Sequence, residues 1–287
     1  YSSAASDVYK RQLMKLLLVK GATVNAKEKK YGQTALMWAA GNPAAVSLLL
    51  EYGADIRATT TTWDVKYTIY IPTTATLGKT GIPWNNEGDY IAKKGGLNAL
   101  FFAVQKNDLV SAKALLDAGL DANSTAADGT TPLLAALYKW DQPKGVFVPG
   151  KGGPATAGSS QRFSPNVAMA NLLLDRGTTV KVVDGAGYTP LHGAALAVAK
   201  AARSGTRQKG AYGQNAAALA LGTDEDAADN LKDSLALVQR LLQAGADPNS
   251  QTVYPTGGPA GDVRINPAPP GSSSMHIAAS SNSVELV

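Results

Sequence analysis

The chain has 287 residues, no cysteine, two histidines, 45% hydrophobic and 17% charged side chains, and a formal net charge of +5. That is the composition of a globular chain, long enough for one large core or a row of small ones. It excludes disulfides, thiolate metal sites and cysteine nucleophiles, and no run approaches the roughly 20 apolar residues of a membrane span.

The first segment, YSSAASDVYKRQ (Tyr1 to Gln12), resembles the translated read-through of a sequencing adaptor seen at the ends of metagenome-derived reading frames. It is set aside from fold reasoning as a tag would be. A secretion signal would lie upstream of it, so the compartment is not read from this sequence.

From residue 13 onward two phrases alternate. LLLVKGATVN, LLLEYGADIR, ALLDAGLDAN, LLLDRGTTVK and LLQAGADPNS form one set; TALMWAA, NALFFAV, TPLLAAL, TPLHGAA and SSMHIAA form the other. Each phrase of the second set opens with Thr34, Asn98, Thr131, Thr189 or Ser273. Those side chains accept a hydrogen bond from a free amide at a helix start. Pro132 and Pro190 follow two of them, where a missing amide hydrogen costs nothing. Two residues before each cap stands a glycine, and each leucine run of the first set ends at another. These positions predict tight turns before the helices and left-handed helix stops after them.

The unit predicted is therefore turn, short helix, second helix, glycine stop and extended turn. From Asn98 to Thr131 its period is 33 residues. In this period and in the T-P-L-H-x-A-A phrase the chain resembles the ankyrin repeat. The resemblance implies a mainly α fold: an ankyrin-repeat solenoid of stacked helix-turn-helix units with β-hairpin fingers and long loop insertions. It implies a single solenoid over residues 13–287, of roughly six repeats with the first and last incomplete. The arrangement is similar to bacterial ankyrin arrays with lengthened inter-helix loops. The chain stops at SVELV, inside an expected second helix, so more protein is expected to follow.

Four insertions interrupt the period, near residues 58–93, 139–165, 199–230 and 251–268. In the first, TTTTWDVKYTIYIP alternates Trp63, Val65, Tyr67, Ile69 and Ile71 with polar residues, which predicts an enlarged β finger. Its excess equals a whole period, but it holds neither a capped phrase nor a leucine–glycine stop. The second is rich in Gly, Pro and Ser and reads as a long loop. The third prolongs a first helix, breaks at Gly205 and Gly210, and restarts near Thr223 and Asp226 with Leu231, Leu235, Val238 and Leu242 on one face.

His192 and His276 occupy the same slot, which Met37, Phe101 and Leu134 fill in the other phrases. An apolar substitute suits a structural brace and not a catalytic base or metal ligand, so both histidines are expected to be scaffold. The next slot holds Trp38, Phe102, Ala135, Gly193 and Ile277; by the resemblance it packs inward. GVFVPGKG (Gly145 to Gly152) and LGKTG (with Lys79 and Thr80) imitate fragments of a phosphate loop without its glycine and hydroxyl complement or its strand–helix context. The basic cluster Lys200, Arg203, Arg207 and Lys209 precedes the acids Asp224, Glu225, Asp226, Asp229 and Asp233, and reads as two solvated segments.

No paired carboxylates, metal cluster or nucleophile–base pair emerges, so no catalytic, cofactor or metal site is assigned. By the resemblance the chain is a protein-binding scaffold using its concave surface and inserted loops, with a protein partner and no nucleic acid. The alternative is a regulatory or targeting region of a larger enzyme. The family's contact slots fall on Tyr31, Gln33, Lys94, Leu97, Gln105, Lys106, Asp128, Thr130, Tyr138, Lys139 and Tyr188.

Overall fold

A computed structural model describes residues 3–72, 84–137, 165–183, 187–205, 224–252 and 271–280. Its helices are α1 (Ser3–Val19), α2 (Ala35–Ala39), α3 (Pro43–Glu51), α4 (Ala99–Gln105), α5 (Leu109–Asp117), α6 (Pro132–Leu137), α7 (Val167–Asp175), α8 (Pro190–Gly205), α9 (Asp224–Gln243) and α10 (Ser274–Ser280). Two strands, β1 (Thr62–Pro72) and β2 (Trp84–Gly95), lie between α3 and α4.

The helices form two rows. In one row α2 packs on α4, α4 on α6, α6 on α8 and α8 on α10; in the other α1 packs on α3, α3 on α5, α5 on α7 and α7 on α9. Rungs α2–α3, α4–α5, α6–α7 and α8–α9 join the rows. Each helix thus touches near neighbours in sequence, and the segments beginning at Thr34, Asn98, Thr131 and Thr189 follow one another along a single row.

The core lies between the rows. Leu36, Met37, Leu49, Leu100, Leu115, Leu133, Leu134, Leu137, Met169, Leu173, Leu237 and Leu241 are all 2% exposed or less and belong to one contiguous cluster. Each buried leucine contributes roughly 1.5–3 kcal/mol relative to exposure. No helix of five to nine residues would persist in water on its local bonds alone, so this shared burial is what makes the short elements helical.

The glycines of both phrases all take positive φ, from 67° at Gly32 to 92° at Gly119. The caps divide. Asn98 Oδ1 accepts from the Leu100 amide at 3.1 Å, and Thr131 Oγ1 from the Leu134 amide at 3.3 Å. Thr34 does not cap α2: its hydroxyl is buried without a partner, while its backbone forms a bridge with Lys27. The second helices carry caps that sequence reading left out. Asn42, Asp108 and Asn166 accept from the amides of Ala45, Val110 and Ser111, and Met169.

The insertion after α3 contains an antiparallel pair. Trp63 stands opposite Lys94 and Asp64 opposite Lys93, with a register irregularity between Ile69 and Tyr70. The expected loop at 139–165 falls almost wholly outside the described residues, as do most of 251–268 and both phosphate-loop imitations. α8 is described as far as Gly205, and the predicted break at Gly210 lies outside the described residues. The buried face of α9 differs from the predicted one: Ser234, Leu237 and Leu241 are buried, Leu231, Leu235 and Val238 half-buried, and Leu242 is 41% exposed. At 100° per residue the predicted stripe is rotated by about 100° from the buried one.

Residues 3–12 of the dodecamer expected to be foreign to the fold belong to α1. Their described side chains, Tyr9 to Gln12, are exposed, and packing on the core starts with Met14 and Leu18.

Candidate functional site

The finger turns that precede the caps Thr34, Asn98 and Thr131 lie side by side and are joined by backbone bonds. The Thr61 amide donates to the Tyr31 carbonyl at 2.8 Å, and the Ala127 amide to the Gly95 carbonyl at 2.9 Å. Three fingers therefore form one ridge. Within the first, the Glu28 carboxylate accepts from the amides of Lys30, Tyr31 and Gln33 at 2.6, 2.5 and 3.2 Å. Desolvation opposes the charge, but these amides and the Lys30 ammonium hold the Glu28 carboxyl below its usual range.

Most of the predicted contact residues stand along this ridge and the adjacent row of first helices. Tyr31 is 39% exposed and Gln33 partly buried. Lys94 Nζ lies 2.9 Å from Asp128 Oδ2. Partial burial works against the Asp128 charge, yet Lys94 and Thr130 outweigh it and keep that carboxyl below its ordinary value. The Leu97 amide donates to Thr60 Oγ1 at 3.0 Å, and the Thr130 amide to Asp128 Oδ1 at 3.1 Å. Gln105 is exposed. Lys106 is exposed as well, but its ammonium donates to the carbonyls of Trp38 and Ala40, the last groups of α2. A cation there answers the negative end of the helix.

Tyr188 departs from the expectation. It is 6% exposed, with its ring edge-on to His192 at 5.8 Å between centroids and 76° between planes. A buried ring that braces a histidine is not a contact surface. Tyr138 and Lys139 lie outside the described residues.

Trp38 departs in the opposite sense. Expected to pack inward, it is 68% exposed. Leu36, Met37, Ala39 and Ala40 occupy the core arc of α2, which leaves Ala35 and Trp38, three residues apart, on the open side. In the same slot Phe102 and Ala135 are half-buried and Gly193 and Ile277 buried, so the slot opens toward the N-terminal end. Trp63, which no contact slot includes, is 41% exposed. The visible signal was the insertion itself, since an inserted strand brings side chains that no repeat position prescribes.

The histidines brace turns. Nδ1 of His192 accepts from the Thr189 amide at 3.2 Å and lies 2.9 Å from Thr189 Oγ1; Nε2 lies 3.3 Å from the Ser272 carbonyl oxygen. This pattern requires the neutral tautomer with its proton on Nε2. His276 repeats half of it, with Nδ1 3.2 Å from the Ser273 amide and 2.9 Å from Ser273 Oγ. The slot's apolar occupants elsewhere agree with a bracing role.

On the outer row a cleft of about 490 Å³ between α5 and α7 is lined by Leu109, Val110, Lys113, Ala168, Asn171, Leu172 and Asp175. Arg240 reaches from α9 to α7, donating to Asn171 Oδ1 at 3.1 Å and to Asp175. Among the described residues no group of three histidine or carboxylate side chains is placed to hold a metal ion, and no helix is long and apolar enough to cross a membrane.

Comparison with known families gives a match to ankyrin repeats (3 copies) over residues 3–60, the stretch that carries α1, α2, α3 and the first finger. No curated protein matches the chain.

Proposed function

We propose that this chain, an ankyrin repeat protein, works as a binding scaffold that presents its finger ridge and first-helix row to a protein partner. Ankyrin repeats are in general protein-interaction modules, and the two-row packing supports reading this one as a solenoid that offers such a surface. The observation that carries the proposal is Trp38: 68% exposed above a helix whose other large side chains are buried. A tryptophan kept out of an otherwise saturated core contributes nothing to folding there, whereas tryptophan and tyrosine dominate the centres of protein interfaces.

The proposed surface comprises Tyr31, Gln33, Trp38, Trp63 and Gln105, with Tyr138 and Lys139 by their place in the repeat. Lys94, Leu97, Lys106, Asp128 and Thr130 set its shape through the bonds described above. The inserted segments carry specificity, as loops on rigid scaffolds do.

The test uses immobilised chain with Tyr31→Ala and Trp38→Ala. The double variant is expected to lose the partner retained by the parent chain and to melt at the same temperature. Undiminished retention of that partner by a folded double variant would remove this face from consideration.

A further inference from the structure

One stretch of the ridge has a chemistry that repeat packing does not require. Tyr31 and Trp63 come from different fingers, yet their ring centroids are 5.8 Å apart with planes inclined at 49°. The bond from the Thr61 amide to the Tyr31 carbonyl fixes the two chains on which they stand. Beneath the indole is Gly95, where an added Cβ would lie 2.8 Å from the Trp63 ring. The ring thus rests on bare backbone, and both aromatics remain about two-fifths open to solvent.

The charge around this pair is one-sided. Lys27, Lys29 and Lys30 surround a single carboxylate, Glu28, and all three lysines are exposed. Glu28 is engaged by three amides of its own turn. Lys30 Nζ sits 4.8 Å from the Tyr31 centroid, and Lys27 Nζ donates to the neutral carbonyl of Thr59 at 3.0 Å. The neighbouring fingers are balanced instead: Lys94 is paired with Asp128, and Lys93 stands opposite Asp64. Among the described side chains of these three fingers, the surplus of positive charge therefore lies on the one that carries Tyr31.

We propose that this ridge binds an acidic stretch of a protein partner: an extended segment that seats one aromatic or aliphatic side chain on Tyr31 and Trp63 and sets its carboxylates on Lys29 and Lys30. The inference rests on the scaffold reading above and names the chemistry of the partner. An exposed, backbone-fixed aromatic pair supplies the apolar anchor, and the lysines supply complementarity and a faster encounter. A nucleic acid strand fits less well. Its evenly spaced phosphates need a track of cations, whereas Asp55, Asp64 and Asp128 stand along the adjoining fingers.

The experiment selects a random twelve-residue peptide library, displayed on phage, against the immobilised chain. Enriched sequences are then made as fluorescein-labelled peptides, and their anisotropy is measured with the parent chain, with Trp63→Ala, and with Lys29→Glu/Lys30→Glu. The reversal variant changes only exposed side chains and keeps the fold if Trp63→Ala does not. The expected peptides combine Asp and Glu with an aromatic or leucine. Their binding should weaken at least about ten-fold with either variant and with their own amide (Asn and Gln) counterparts. Enriched peptides of neutral or basic composition that still require Trp63 would overturn the acidic assignment and leave the scaffold reading in place. Peptides indifferent to both variants, or no enrichment, would overturn the ridge as a site. Binding of labelled oligo(dT) that is tight and lost in the reversal variant would overturn it in favour of nucleic acid.

Discussion

Nε2 of His192 lies 3.3 Å from the carbonyl oxygen of Ser272, 80 positions along the chain, where the last described repeat begins. One imidazole thus closes its own turn through Nδ1 and holds the next turn through Nε2. Burial pushes this imidazole below the usual 6.5, against the pull of the carbonyls of Ser272 and Ser250. The unfolded chain takes up the proton near 6.5 and the folded chain only at lower pH. Between those two values the unfolded state holds more protons, so stability rises with pH. The contribution is complete above about 6.5 and is lost as pH falls from there through the folded pKa. The urea midpoint is therefore expected to drop between pH 7.5 and 5.5 in the parent chain. His192→Leu should remove most of that slope and, at pH 7.5, cost about 1–3 kcal/mol because the buried Thr189 amide loses its acceptor. A parent chain with the same midpoint at both pH values would contradict this account.

Gly95 stands at the base of the second finger, where its two strands face each other and Gly95 pairs with Thr62. Its φ is +90°, and an added Cβ would lie 2.0 Å from the Thr61 carbonyl oxygen. Gly53 has a similar φ of +76° but open space around it. Alanine at Gly53 should cost only the left-handed backbone term, about 1–2 kcal/mol. Alanine at Gly95 must in addition push away the Thr61 backbone and the Trp63 ring. It should therefore lower the melting temperature further and change the tryptophan fluorescence, which Gly53→Ala leaves alone. Equal losses for the two variants, with unchanged emission, would show that the two strands of this finger are not in this contact.

Repeat order was legible because each slot answers a backbone requirement that only a few residue types meet. Glycine marks the positive-φ turns, Asn98 and Thr131 mark helix starts, and leucine marks the shared core. What was not legible depends on neighbours. Trp38 occupies the same slot as buried Ile277, and only the short arc of α2 left to the core decides that it faces outward. The stripe on α9 was misjudged because leucines recur on more than one side of that helix. Ser234 takes a core position after donating its hydroxyl to the Asn230 carbonyl at 2.7 Å, so polarity there is no sign of exposure. Tyr188 was placed on the surface by its slot and is buried by His192. Of the proposed surface, the repeat slots name Tyr31 but not Trp63, which packs against it, because an inserted strand has no counterpart in the repeat to be compared with.

Two asparagines fasten successive outer turns, and they make the coupling between repeats measurable. Asn25 Nδ2 donates to the Gly53 carbonyl at 3.2 Å while its Oδ1 accepts from the Asp55 amide at 2.7 Å. Asn123 repeats the arrangement with the Gly177 carbonyl at 3.5 Å and the Thr179 amide at 2.8 Å. Each spans from one glycine stop to the next, so it links repeats and not residues of one turn. Alanine at either site removes both bonds from a solvent-exposed setting, for an expected loss of about 1 kcal/mol. Nearest-neighbour coupling makes stability in such arrays a sum over units and the junctions between them. The two junctions are distant, so the double variant should lose the sum of the single losses to within about 0.5 kcal/mol. Asn249 occupies the same slot after Gly245 and is exposed; its alanine variant, expected to change stability by less than about 0.5 kcal/mol, is the control. Urea titrations of the four variants decide the matter. If Asn249→Ala costs as much as Asn25→Ala, the asparagines act within their own turns and the linkage between repeats lies elsewhere.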